Sequence, residues 1–159
     1  ADLIGKPPRK SWEGQSFAAA MDKGAPTGHD ELILSQCCHG CQRSVRWNNW
    51  LYIRTYHDFF HLFPREMLFD LSADPHEQRD LAAERPDICR EAAYRYLNWH
   101  DAMMATQPEG YYHDPLWEEL ANGGPCHAHN HLAKYCQRLE ESGREWAIPL
   151  LRERHPEEK

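Results

Sequence analysis

The amino-acid sequence predicts an α+β fold: a small antiparallel sheet of three to four strands carries a long packed helix, and additional helices follow toward the C-terminus. Two strand-like runs flank Asn48-Asn49, a pair that suits a two-residue hairpin turn because asparagine tolerates positive φ. After Pro86 the apolar residues recur at steps of three and four, which is the period of a helix packed along one face. Strands first and helices afterwards is the order typical of the α+β class.

Four short segments carry strand signals, and the hairpin is the clearest pair. Within its second run Leu51, Ile53 and Thr55 alternate with larger side chains, as a sheet with two different faces requires. The four segments are bounded by turn residues and cover 31–38, 42–47, 50–56 and 67–71.

The long helix is predicted from Pro86 onward, because proline suits the first helical position, where its missing N–H would be unpaired anyway. Beyond it the sequence predicts a loop over 106–130, interrupted by one short helix that Asp114-Pro115 opens. A further helix is predicted over 132–139, ended by Ser142-Gly143, and a last one over 146–151. The apolar stripe of the long helix consists of Ile88, Ala92, Tyr96, Trp99 and Met103.

The positions of glycine and proline divide the chain into three predicted parts. Residues 1–28 form an extended lead-in with one short helix around 17–21, and residues 29–107 hold the sheet and the long helix. Residues 108–159 form a loop and helical C-terminal extension. The first residues read as mid-chain sequence and not as a signal peptide, which favours a fragment of a longer protein.

Composition and charge argue against several classes of function. The formal net charge is -7 with histidine neutral, and Lys and Arg are scattered, so we expect no nucleic-acid partner. No apolar run approaches the roughly 20 residues that span a bilayer, so we expect no membrane partner. The six cysteines lack the even spacing of a disulfide framework, which favours free thiols and a reducing compartment such as the cytoplasm.

The most specific stretch is 67–82, MLFDLSADPHEQRDLA, which predicts a strand, a turn opened by Asp74-Pro75 and a polar entry into a helix. It resembles a signature near the C-terminus of sulfatases, which belong to the alkaline-phosphatase-like superfamily. The hairpin before it, and the segment Trp12-Glu13-Gly14-Gln15-Ser16-Phe17, resemble the family's flanking segments in the same order. The positions that match the signature are Leu68, Phe69, Asp70, Leu71, Asp74, Pro75, Glu77, Asp80, Leu81 and Ala82.

The resemblance implies that this chain is the C-terminal subdomain of an enzyme that hydrolyses sulfate esters. In that family a large N-terminal domain carries a Cys/Ser-x-Pro-x-Arg pattern, whose first residue is oxidised to formylglycine, and the ligands for a calcium ion. The chain has no such pattern, and Cys41 lacks both the proline and the arginine, so we expect no catalytic residue, no cofactor and no activity in this chain alone. Its implied partners are the N-terminal catalytic domain of the same protein and an anionic sulfated small molecule or sugar.

Four residues are candidates for substrate binding. His39, Gln42 and Arg43 surround the predicted turn between the first two strands, and His57 begins the aromatic loop after the third. Arginine suits sulfate because its planar fork donates two hydrogen bonds to one oxyanion. The alternative is structural: Arg43 and Arg46 would form salt bridges, and His39 would be a surface turn residue.

The segment Cys126-His127-Ala128-His129-Asn130-His131, with Cys136 beyond it, contains residue types that bind zinc. Histidines at alternate positions do not have the spacing of a structural zinc site, so we expect no metal site here. Two alternative functions stay open at this point. One is a phosphonate or phosphodiester hydrolase of the same superfamily, and the other is a non-catalytic Cys/His metal-binding or interaction module.

Overall fold

Four antiparallel strands form one sheet in chain order, as the computed structural model shows for residues 1–12, 14–24, 28–111, 113–125 and 128–158. The strands are β1 (Glu31–Gln36), β2 (Cys41–Trp47), β3 (Trp50–His57) and β4 (Glu66–Asp70). The helices are α1 (Ala18–Lys23), α2 (Pro86–Ala105), α3 (Pro115–Ala121), α4 (Leu132–Glu141) and α5 (Ile148–Arg154), with 3-10 turns at Asp2–Ile4 and Glu145–Ala147. The predicted α+β class is therefore confirmed.

The β2–β3 hairpin turns at the predicted asparagines. Trp47 pairs with Trp50 across the two-residue turn, and Asn48 takes a φ of 47°, in the left-handed region that asparagine tolerates. β1 is shorter than predicted, because the chain leaves the sheet after Gln36 and bends through 38–40 before β2 begins.

Helix α2 covers one face of the sheet. It begins at Pro86, as predicted, and the helix buries Ala92 and Cys89 against Val45 and Tyr52 of the sheet. Each residue of the predicted apolar stripe is buried or partly buried, whereas Cys89, one position away, was not in the prediction. Burial of aromatic and aliphatic side chains here supplies most of the stabilisation between sheet and helix, at roughly 25 cal/mol per Å² of apolar surface.

The strand-to-helix segment 67–82 is organised by the aspartates of its own sequence. Each carboxylate binds nearby backbone N–H groups that no strand or helix satisfies, which is how aspartate stabilises turns. Turns and irregular backbone fill 71–85 and lead from β4 into α2, so the segment connects a strand to a helix. Asp70 accepts from Ser72 at 3.0 Å, Asp74 from Gln78 and Arg79 at 2.7 and 2.8 Å, and Asp80 from Leu68 and Ala82 at 3.0 and 2.9 Å.

The C-terminal helices form a second apolar core, separate from the one between the sheet and α2. Phe60, from the loop after β3, inserts among buried residues of α4 and α5, including Leu139 and Leu151. The three short helices predicted after residue 106 are confirmed, and Asp114 caps α3 by accepting from the Leu116 N–H at 2.9 Å. The division of the chain at residues 28 and 107 stays a prediction.

Candidate functional site

One end of the sheet brings together three of the four predicted substrate-binding residues. At this end β1 stops, β2 begins and β3 stops, and Cys41 of β2 is paired with His57 of β3. His39 lies in the turn between β1 and β2, and Gln42 lies one residue inside β2. The antiparallel register therefore gathers His39, Gln42 and His57 at one end of the sheet.

Gln42 is buried, and both ends of its amide are engaged. Its Nε2 donates to Thr55 Oγ1 at 3.0 Å, and Gln36 donates to its Oε1. An amide held in this way fixes the hydroxyl of Thr55, which accepts one hydrogen bond and keeps its own proton free to donate. Direct contact between Gln42 and a substrate stays a prediction.

His39 is exposed beside the aromatic loop that follows β3. Its ring lies 6.3 Å from the ring of Phe59 and 6.5 Å from that of His61. The turn approaches β3 closely, because a Cβ at Gly40, where φ is 139°, would lie 2.9 Å from the His57 carbonyl oxygen. Only glycine fits this position, so the sequence CHGC sets the place of His39.

His57 is half-buried and its ring is fixed on two sides. Nδ1 accepts a hydrogen bond from the Phe59 N–H at 3.2 Å, so the proton of the neutral ring sits on Nε2. A Cβ at Gly124 would lie 2.6 Å from His57 Cδ2, so the ring packs directly on that glycine. Burial, reinforced by the charge of His155, lowers the pKa of His57 and favours this neutral form.

A cleft of about 550 Å³ opens beside His57. Residues from the end of β3, the loop after it and the C-terminus of α5 line it, which joins segments that are far apart in the chain. The lining includes the polar or ionisable side chains of Thr55, His57, Asp58, Arg65, Arg154 and His155. Its volume lies within the usual range of ligand sites, roughly 300–1,000 Å³.

Asp58 ties the two sides of the cleft together. Its carboxylate lies 2.7 Å from His155 Nε2 and 2.6 Å from Arg154 Nη1, and it is only 5% exposed. Burial alone would raise the pKa of Asp58, but the hydrogen bonds from His155 and Arg154 outweigh it and lower the pKa to about 2. Asp58 is thus ionised at neutral pH and acts as a positioning group.

Sequence reasoning missed Asp58, Arg154 and His155. No local spacing connects residue 58 with residues 154 and 155, because the link depends on how α4 and α5 pack against Phe60. A weak signal did exist, since Asp58 is the one acid within the aromatic stretch 56–63.

Arg43 lies on the other face of the sheet, beneath α2. It is 5% exposed, its Nη2 lies 2.5 Å from Asp114 Oδ1, and its Nε donates to Ser35 Oγ at 2.7 Å. The guanidinium also stacks over Trp99, 5.1 Å from the ring centre, and Nη1 donates to the Tyr96 hydroxyl at 3.3 Å. Binding of a substrate by Arg43 stays a prediction, and it would require Arg43 to leave this ion pair.

The second oxygen of Asp114 faces α2. Its Oδ2 lies 3.2 Å from His100 Nε2, but the two atoms are not aligned as a hydrogen bond. Asp114 therefore connects β2, α2 and α3 through Arg43, His100 and its own helix cap, and this network holds α3 in place.

The residue types that suggested a metal are dispersed as far as the structure describes them. Cys126 and His127 lie outside the described residues, His129 Nε2 bonds the Gly124 carbonyl at 3.2 Å, and Cys136 is buried in the second core. Within the described ranges no group of three or more His, Cys, Asp or Glu side chains is arranged to hold a metal ion, calcium included. The described cysteines are free thiols, and burial raises the pKa of Cys41 to about 12, so it is a poor nucleophile.

Comparisons with known proteins find likenesses among solved structures. No protein-family model and no curated protein matches the chain. A solved structure is similar, described as "Metabolism of multiple glycosaminoglycans by bacteroides thetaiotaomicron is orchestrated by a versatile core genetic locus (BT33336S-sulf)". The TM-score is 0.46 at 18% identity, over 61% of this chain and 22% of that one, so the chain spans about a fifth of that protein's length. In the part of the chain that the structure describes, no helix is long and apolar enough to cross a membrane.

Proposed function

We propose that this chain is the C-terminal part of a sulfatase, where it shapes the substrate pocket of an enzyme that hydrolyses sulfate esters. The observation that carries the proposal is the gathering of His39, the Gln42–Thr55 pair and His57 at one end of the sheet, where Thr55 and His57 line an open cleft. Side-chain N–H and O–H donors at this end of the sheet suit the oxygens of a sulfate ester and the hydroxyls of a sugar.

The segment 67–82, which resembles the sulfatase signature, supports a structural role for this chain. Its aspartates are engaged with the backbone of their own turns, so the segment fixes β4 relative to α2 and takes no part in chemistry. The chain's contribution is then a rigid wall, in keeping with binding residues that are placed on sheet and helix termini.

Catalysis is assigned to an N-terminal domain of the same protein, with formylglycine as the nucleophile and a calcium ion bound there. Calcium in that domain supplies positive charge for the sulfate oxygens. The residues of this chain bind and orient the part of the substrate that does not react, which raises catalytic efficiency through positioning.

The test compares two proteins, the 159-residue chain and the same chain with its native upstream sequence. We expect the longer protein to hydrolyse 4-nitrophenyl sulfate faster than 4-nitrophenyl phenylphosphonate, and the 159-residue chain to hydrolyse neither. Mass spectrometry of the longer protein is expected to find formylglycine in a Cys/Ser-x-Pro-x-Arg sequence. Turnover by the short chain, or an upstream sequence without that pattern, would overturn the proposal, and faster phosphonate hydrolysis would assign the enzyme to the phosphorus-ester branch instead.

A further inference from the structure

Arg65 is an exposed arginine on the rim of the cleft. Its backbone is fixed, because its carbonyl accepts from the Thr55 N–H at 2.9 Å, next to the end of β3. Its side chain is exposed and makes no hydrogen bond, ion pair or ring contact with the residues that the structure describes. A guanidinium that lines a cleft and forms no ion pair with the described residues is available to an anionic ligand.

Arg154 supplies a second, partly used guanidinium. Its Nη1 donates to Asp58 Oδ2 and to the Phe63 carbonyl, which holds the side chain in place. The side chain is 43% exposed, and neither Nε nor Nη2 has a partner among the described residues. Arginine presents five N–H donors, so this residue can still bind a ligand oxygen without giving up Asp58.

The remaining lining favours a hydroxyl-rich ligand with a single negative group. Asp58 and Glu157 balance the charges of Arg65 and Arg154, so the cleft lacks the excess positive charge that a polyphosphate needs. The Thr55 hydroxyl and His57 Nε2 are neutral donors, and the carboxylate of Glu157 accepts from hydroxyls. Phe63 adds an aromatic surface against which a sugar ring can lie.

We propose that the cleft binds one acidic sugar residue of a saccharide, with Arg65 as the residue that selects its sulfate or carboxylate group. This inference rests on the proposed function only for the nature of the substrate, because the cleft is formed by this chain alone. In this inference Arg65 acts on ligand specificity.

The experiment titrates the ¹⁵N-labelled chain with glucose 6-sulfate, glucuronate, glucose and inorganic sulfate. We expect saturable shifts of the Thr55 and His57 amide signals with at least one of the two acidic sugars, and weaker binding of glucose and of sulfate. Arg65→Ala is expected to weaken acidic-sugar binding by about tenfold or more, since a hydrogen bond to a charged group is lost. Arg90→Ala, which removes an exposed arginine on α2 that has no partner among the described residues, is the matched control and should change nothing.

Each outcome decides a specific part of the inference. If only glucose 6-sulfate binds, Arg65 selects sulfate; if only glucuronate binds, it selects carboxylate. Equal affinity for inorganic sulfate and glucose 6-sulfate would reduce the site to an anion site and overturn sugar recognition. Unchanged binding in Arg65→Ala, or no shifts with either acidic sugar, would overturn the inference, whereas the proposed function depends separately on sulfate-ester hydrolysis by the longer protein.

Discussion

His155 and Asp58 are separated by 97 residues in the chain, yet His155 Nε2 lies 2.7 Å from Asp58 Oδ1 in a site that excludes most solvent. Arg154 binds the other oxygen of the same carboxylate. This double contact anchors the C-terminus of α5 to the loop after β3, and it forms the floor of the cleft. The anchoring of α5 and the shape of the cleft are therefore connected at Asp58.

Asp58→Asn is expected to lower the free energy of unfolding by about 3 kcal/mol, because it removes the buried carboxylate that binds both His155 and Arg154. Urea denaturation followed by circular dichroism measures this change. Glu84→Gln breaks the exposed pair with Arg79 and should cost less than about 1 kcal/mol. Equal effects of the two substitutions would mean that the Asp58 cluster does not anchor α5.

The acid sensitivity of the protein should depend on the same carboxylate. The pKa of Asp58 is lowered from 3.8 to about 2 in the folded state, so its contribution is complete above about pH 4 and is lost as the pH falls toward 2. A shift of this size corresponds to about 2 kcal/mol. Acid unfolding of Asp58→Asn is expected to be less steep between pH 4 and 2, and an unchanged slope would contradict the assignment.

His57 should produce a second pH dependence at higher pH. Its pKa lies below the ordinary value of 6.5 in the folded protein, so the unfolded chain takes up a proton more readily, and stability falls as the pH drops below about 6.5. The neighbours of the ring, His155, Asp58, Glu158 and His129, remain in His57→Gln. That variant should lose less stability between pH 7 and 5 than the wild type, as measured by thermal denaturation. An identical loss would show that His57 is not the titrating group.

Local signals in the sequence were sufficient to predict the helices and strands, but they did not predict which side chains meet at the candidate site. Asn48 fixed the hairpin and Pro86 the start of α2, because turn and cap preferences act within a few residues. Asp114 was correctly predicted to open a helix, but its ion pair with Arg43 depends on the packing of α3 against β2, which no local pattern encodes. The prediction that Arg43 binds a ligand rests on the ability of its guanidinium to donate two hydrogen bonds to a carboxylate or sulfate. The same property lets Arg43 pair with Asp114.

The Arg43–Asp114 pair gives a prediction that separates a structural arginine from a binding one. Asp114→Ala leaves a nearly buried guanidinium unpaired and is expected to cost about 3–5 kcal/mol in the free energy of unfolding. Replacing both residues with apolar side chains, as in Arg43→Met with Asp114→Leu, should recover a large part of that loss, although the cap of α3 is also removed. No recovery in the double variant would mean that the cap and not the ion pair dominates.

Gly124 gives the sharpest test of how the cleft is formed. Alanine at this position would place its Cβ 2.6 Å from the His57 ring and would also require the left-handed φ of 97°, so the ring must move or the backbone must change. Gly143→Ala is the matched control, because Gly143 has a φ of 69° but nothing within 4 Å of the added Cβ, so it reports backbone strain alone. We expect Gly124→Ala to cost about 1–3 kcal/mol, more than the control, and to shift the His57 ring signals in NMR spectra. Equal costs and unchanged His57 signals would show that the ring does not pack on Gly124 in solution.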